Sequence, residues 1–160
     1  MRASTLALTV ALVVVASAGL LGFYQYTVLE RQYRTLLDQV ESLTVRVNIL
    51  IDYGDGRRIW FNDTLIPVGW SLYNATRMIA DVKATYYPEY DSHLVEAING
   101  VGLDKPAGKS SWYWIIWVWD NGGWRLLEVG SDKHILRDGD TVAWVFEDTS
   151  QWPPAPPGSA

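Results

Sequence analysis

From Val45 to Tyr53 apolar and polar positions alternate: Val45, Val47, Ile49, Ile51 and Tyr53 against Arg46, Asn48 and Asp52. A period of two places the two sets on opposite faces, which predicts a half-buried strand. Gly54-Asp55-Gly56 supplies a turn, Arg58 to Phe61 a second strand, and Thr64 to Val68 a short extended piece. The period then changes. Leu72, Ala75, Met78, Ile79 and Val82 recur at helical spacing behind Ser71, a side chain suited to capping a helix N-terminus. Pro88 bars continuation.

Leu94 to Ile98 reads as a strand ended by Asn99-Gly100, and Gly102 to Ser111 as an exposed loop. Trp112 to Trp119 is strongly β-prone; Asp120-Asn121-Gly122-Gly123 turns it back into Trp124 to Val129. A further turn at Arg137 to Asp140 leads to a last strand, Thr141 to Phe146. Two strands, one helix and several more strands predict an α+β domain, with the single helix covering one face of a mixed sheet.

Upstream, Thr5 to Phe23 is an uncharged run of nineteen residues. As a helix it is about 28 Å long, close to the thickness of a bilayer's hydrocarbon core. Arg2 precedes it, while Glu30, Arg31 and Arg34 nearly cancel after it. The positive-inside rule then leaves the N-terminus in the cytoplasm and the remainder outside. Ala16-Ser17-Ala18 fits a signal-peptidase site, but the apolar run continues through Leu20, Leu21 and Phe23, which favours an uncleaved anchor. Both readings export the domain. Leu29, Tyr33, Leu36, Val40 and Leu43 follow at coiled-coil spacing, predicting a helical stalk that either self-associates or stands as one amphipathic helix. The expected organisation is an anchor over 1–23, a stalk over 24–44, a domain over 45–148 and a disordered, proline-rich tail over 149–160.

Composition narrows the function. A net charge of −5 with scattered basic residues argues against nucleic acid as a partner. The absence of cysteine removes disulfides, thiolate metal sites and cysteine nucleophiles. Asn62-Asp63-Thr64 and Asn74-Ala75-Thr76 are sequons, which make Asn62 and Asn74 candidate glycosylation sites on an exported chain. No catalytic constellation stands out. Gly69-Trp70-Ser71-Leu72-Tyr73 lacks the second glycine of a nucleophile elbow. His93 and His134, with Asp91 or Asp132 nearby, show no recurring ligand spacing and are expected as partly exposed histidines near strand ends. Asp138 and Asp140 fit a turn better than a calcium loop. The expectation is a protein that is not an enzyme, with no metal site.

The unusual feature is aromatic. Five of the nine Trp lie between Trp112 and Trp124. Alternation puts Trp112, Trp114, Ile116 and Val118 on one face of the strand and Tyr113, Ile115, Trp117 and Trp119 on the other. With one helix to cover one face, Trp117, Trp119 and Trp124 are expected to include at least two partly exposed rings forming a flat surface, bordered by Tyr86 and Tyr87. The alternative is a strand buried on both faces.

The chain resembles the transcobalamin C-terminal-like family. The resemblance rests on the opening alternating strand, the helix begun at Ser71, Ala97-Ile98-Asn99-Gly100, the Trp strand ending in Asn121-Gly122, and Leu136-Arg137-Asp138-Gly139-Asp140-Thr141-Val142-Ala143-Trp144. It implies a β-grasp-type fold and, as in some relatives, contact with a corrinoid, so a cobalamin-like ligand is the first expectation. The large helical domain that accompanies this module in transcobalamin is absent, and the Trp strand is richer in aromatics than the family pattern. The leading reading is a membrane-anchored, non-catalytic binding domain. A structural or accessory subunit of a membrane assembly, and an adhesin stacking Trp on sugars, remain alternatives.

Overall fold

A computed structural model describes residues 2–103 and 108–158, apart from the side chains of residues 2–7, 9–11, 13 and 14. It comprises two units. The first is a single helix, α1 (Arg2–Leu43). The segments expected as anchor and stalk thus fall on one uninterrupted helix. Among the described residues no helix is long and apolar enough to cross a membrane. The anchor expected over Thr5 to Phe23 falls in part on side chains outside those described.

The second unit, from Thr44 onward, is α+β. Its sheet contains β1 (Thr44–Asp52), β2 (Arg58–Pro67), β5 (Trp112–Asp120), β6 (Gly123–Leu126) and β7 (Thr141–Asp148), in the order β2-β1-β7-β5-β6. β1 and β7 are parallel neighbours, and every other pairing in the sheet is antiparallel. A helix, α2 (Leu72–Ile79), and a separate hairpin of β3 (Val82–Tyr87) and β4 (Ser92–Ile98) complete the unit.

Three expectations about elements change. The strand and extended piece expected after Gly56 are one strand, β2, with a bulge opposite Asn48. Asp63 takes the left-handed conformation there (φ 49°) and its N–H donates to Asn48 Oδ1 at 3.0 Å, so the irregularity is hydrogen-bonded rather than a break. Val82 opens β3 instead of closing the helix, because the chain is already extended at Ala80. The returning strand after the Trp run ends at Leu126, not Val129.

Ser71 caps α2 as expected, its Oγ accepting from Asn74 N–H. The core lies between the sheet and α2 with the β3–β4 hairpin. Val47, Ile49 and Ile51 of β1, with Val142, Trp144 and Phe146 of β7, line its sheet side. Met78, expected on the apolar helix face, is exposed; Thr76 is buried there instead. The Thr76 hydroxyl donates to the Leu72 carbonyl at 2.7 Å and accepts from Trp144 Nε1–H at 2.8 Å, so neither polar group is left unpaired. Truncating a buried aromatic of this size costs about 3–5 kcal/mol.

The face opposite α2 holds a smaller cluster of Leu50, Trp117, Ala143 and Val145. The tail expected to be disordered is described as far as Gly158. Pro154 is buried, and Ala155 to Gly158 line a 330 Å³ cleft together with Asp52, Val145 and Glu147. Residues 104–107 of the expected Gly102–Ser111 loop, and 159–160 of the tail, lie outside the described residues.

Candidate functional site

The β5–β6 hairpin is built by its turn. Asn121 and Gly122 both adopt positive φ (49° and 82°), the requirement of a two-residue turn that matches strand twist. Trp119 and Trp124 are direct cross-strand partners. Their ring centroids are 5.2 Å apart at 76°, an edge-to-face pair. Trp119 is 47% exposed and Trp124 half-buried. Two of the three expected rings are therefore accessible, but they present an edge and a face rather than a flat surface. Trp117 is buried, its Nε1–H donating to Glu147 Oε1 at 2.9 Å.

The remaining aromatics expected at the site lie elsewhere. Trp112 and Trp114 face the helix side: Trp114 is buried and donates to the Val101 carbonyl at 3.0 Å, while Trp112 is half-buried beneath Lys109 Nζ, 3.8 Å from its ring. Both line a smaller cleft of about 290 Å³ with Leu94 and Leu103. Tyr86 and Tyr87 are strand residues of β3. Tyr86 belongs to a different polar group, donating to Asp91 Oδ1 at 2.7 Å and packing against His93. The seven aromatics thus divide among three places rather than forming one surface.

A cleft of about 540 Å³ beside the hairpin is lined by Val118, Asp120 and Arg125, which alternation and register put on the sheet face opposite the Trp119 ring, and by Lys133, His134 and Arg137. The segment bearing those residues is fixed by the needs of α2. The first N–H groups of a helix have no partner within it. Here Leu72 N–H donates to the His134 carbonyl at 2.9 Å and Tyr73 N–H to the Ser131 carbonyl at 3.0 Å; Leu136 N–H returns a bond to the Trp70 carbonyl at 2.9 Å. The 131–136 segment is thereby strapped to the helix start.

Three cations line this cleft against two carboxylates, Asp120 and Asp140. Their engagement differs. Lys133 is tied to Asp91 at 2.6 Å. Arg125 is only 3.8 Å from Asp120. Arg137 has no side-chain hydrogen bond or ion pair among the described residues. Asp140 accepts from the Arg137 backbone N–H at 2.8 Å, which locks the Asp-Gly-Asp turn. Burial pushes His134 below the usual histidine range, with Asp140 opposing and Arg125 and Arg137 reinforcing the shift, so its ring is neutral at pH 7. Its Nε2 is buried and without a partner.

Arg125, His134 and Arg137 as a group were not legible from sequence. Arg137 was visible only as part of a turn, and nothing in its local pattern joins it to Arg125. His93 and Asp132, 39 positions apart, do meet: Nδ1 lies 3.1 Å from Oδ2, and the ring stacks on Tyr73 with centroids 4.7 Å apart. Ser92 Oγ donates to the same Asp132 at 2.6 Å, so serine and histidine converge on the carboxylate and not on each other. That arrangement provides no activated nucleophile. Among the described residues no group of three or more His, Asp or Glu could hold a metal ion.

No family model matches this sequence, and no curated protein does. Among solved structures, a crystal structure of haptocorrin in complex with Cbi aligns at a TM-score of 0.49 and 13% identity, over 64% of this chain and 25% of the haptocorrin chain. A provisionally assigned metal-binding protein from Ruminococcus gnavus aligns at a TM-score of 0.48 and 14% identity, over 65% of this chain and 97% of its own. This chain spans a quarter of the length of haptocorrin, and neither likeness bears on what it binds.

Proposed function

We propose that this chain is a membrane-anchored, extracytoplasmic binding domain of β-grasp type that takes a ring-bearing ligand on the β5–β6 hairpin. The observation that carries the reading is Trp119: nearly half exposed and edge-to-face with Trp124 beside the hairpin turn. The parallel central pair β1–β7 flanked by antiparallel strands supports the β-grasp assignment. The uncharged run from Thr5 to Phe23 supports the anchor and the outward topology. Asn62, exposed on the β2 bulge, is the more open of the two sequons, since the Thr76 of the Asn74 sequon is buried in the core.

Cobalamin is the first ligand to test and neutral oligosaccharides the second. Titration of each into the full-length chain, read by tryptophan fluorescence, is expected to saturate, and Trp119→Ala is expected to abolish the response while thermal melting stays unchanged. Undiminished binding in Trp119→Ala would remove the hairpin from the site. A second reading, an accessory subunit of a membrane assembly, draws on edge strand β2, where Trp60 and Leu65 are 46% and 47% exposed. It gains if no small ligand saturates.

A further inference from the structure

The C-terminal tail carries a burial pattern that its composition alone does not explain. Thr149 N–H donates to the Ser111 carbonyl at 3.0 Å and Ser150 N–H to Asp148 Oδ1 at 2.9 Å, which fixes the point where the chain leaves β7. Beyond it, Ala155 to Gly158 line the 330 Å³ cleft at the ends of β1, β2 and β7, with Asp52, Arg58, Val145 and Glu147. Four of the five residues from Pro153 to Pro157 are proline. Residues 154–156 belong to no helix or strand. Along the run, burial recurs at every third position: Pro154 is buried and Pro157 half-buried, while Pro153, Ala155 and Pro156 are exposed. A strand would alternate every second residue. A repeat of three is the period of a polyproline II helix, so one edge of such a helix rests on the domain and the others face solvent.

The chemistry of the cleft suits that conformation. Proline has no N–H, so within Pro153 to Pro157 only Ala155 can donate, and the segment presents mostly carbonyl acceptors. Arg58 is tied to Asp52 through Nε at 2.6 Å, and its side chain donates to no other group among the described residues. Proline also fixes φ in advance, so the segment gives up little conformational freedom on docking.

We propose that the end of the sheet formed by β1, β2 and β7 is a recognition site for polyproline II segments, held in this chain by its own tail and taken, when the tail leaves, by a proline-rich segment of another protein. The site is separate from the hairpin. Val145 and Glu147 pair with Ile115 and Tyr113, whereas Trp119 lies at the other end of β5, so either site can exist without the other.

The probe is a fluorescein-labelled peptide spanning Gln151–Gly158, titrated in detergent micelles and followed by fluorescence anisotropy. A chain ending at Ser150 keeps both hydrogen bonds that end β7 and is expected to bind the peptide saturably. The full chain should bind it about tenfold more weakly or worse, because its own tail competes at an effective concentration of order millimolar. A peptide carrying Pro154→Ala and Pro157→Ala should lose about tenfold in affinity with its two buried side chains truncated. One carrying Pro153→Ala and Pro156→Ala has the same composition and should bind as the unsubstituted peptide does, which separates recognition of one edge from adsorption to the micelle. Should the shortened chain fail to melt cooperatively, the full chain with Pro154→Ala and Pro157→Ala takes its place; its loosened tail should let the unsubstituted peptide bind more tightly than it binds wild type. No saturable binding to either chain would overturn the proposal. So would equal affinities for the two substituted peptides, or equal affinities of the full chain and the variant tested.

Discussion

Glu147 illustrates what one half-buried carboxyl does to a small domain. It sits on the sheet face opposite α2, accepting a hydrogen bond from Trp117 Nε1–H, with Asp52 as a like-charged neighbour; the Asp52 charge is shared with Arg58 at 2.6 Å. Burial raises its pKa from 4.5 to about 7, outweighing the Trp117 bond that favours the ionised form. In the unfolded chain the proton leaves near 4.5, whereas the folded chain keeps it until about 7. Between these values the native state binds more protons than the unfolded state, so stability falls as pH rises through that window. The contribution is full below 4.5 and gone above about 7. Glu147→Gln is expected to flatten this part of the stability–pH curve, measured by urea unfolding at successive pH values. Parallel curves for the two proteins would show that Glu147 is not the titrating group. Because Ala155 to Gly158 line the same cleft, protection of the tail amides in hydrogen exchange should decline over the same window in the wild type only.

Element by element, the sequence was legible wherever one local pattern dominated. β1 shows its period of two, the continuous apolar runs of β5 and β7 are bounded by turn residues, Ser71 announces α2, and Asn121-Gly122 specifies its turn. β3 was hidden because Val82 satisfies both the helical spacing behind it and the two-residue alternation with Lys83, Ala84 and Thr85 ahead of it. β2 was cut in two because a bulge carrying Asn62-Asp63 reads as a turn until its partner Asn48 is in place. The tail read as disordered from its prolines, since no local signal shows that Pro154 finds cover. The cleft was illegible for the same reason: its cationic wall is placed by the unpaired N–H groups of α2, a tertiary constraint with no local signature. α1 poses its own question, because one uninterrupted helix carries both the uncharged run and the seam of Leu29, Tyr33, Leu36, Val40 and Leu43. Leu29, Tyr33, Leu36, Val40 and Leu43 are all exposed. Membranes washed with carbonate should retain the full chain and release one beginning at Tyr24. In sedimentation that shorter chain should be larger than a monomer, and one beginning at Thr44 monomeric. Equal masses per chain would leave the seam as a single amphipathic surface.

At the scale of the whole second unit, the pairing of β1 with β7 joins the first strand to the last in the middle of the sheet. Without Thr141 to Asp148 the sheet separates into a β1–β2 hairpin and a β5–β6 hairpin, neither with a neighbour across the gap. Such long-range closure makes folding slow compared with domains dominated by local contacts. The same pairing has a mechanical consequence. β1 and β7 run parallel, in register from Asn48 opposite Thr141 to Asp52 opposite Val145. Force applied at Thr44 and at Asp148 therefore draws the two strands lengthwise past each other, loading the rungs of the ladder together. Force applied at Thr44 and Pro67, which face each other across the first rung of the antiparallel β1–β2 pair, opens β1 from β2 one rung at a time. With no native cysteine, single thiols introduced at these positions give unambiguous handles for pulling experiments. The 44–148 geometry should rupture at the higher force, and equal forces would mean that the central ladder is not what bears the load. A domain held at one end and tugged at the other would thus resist as a clamp rather than unravel as a zipper.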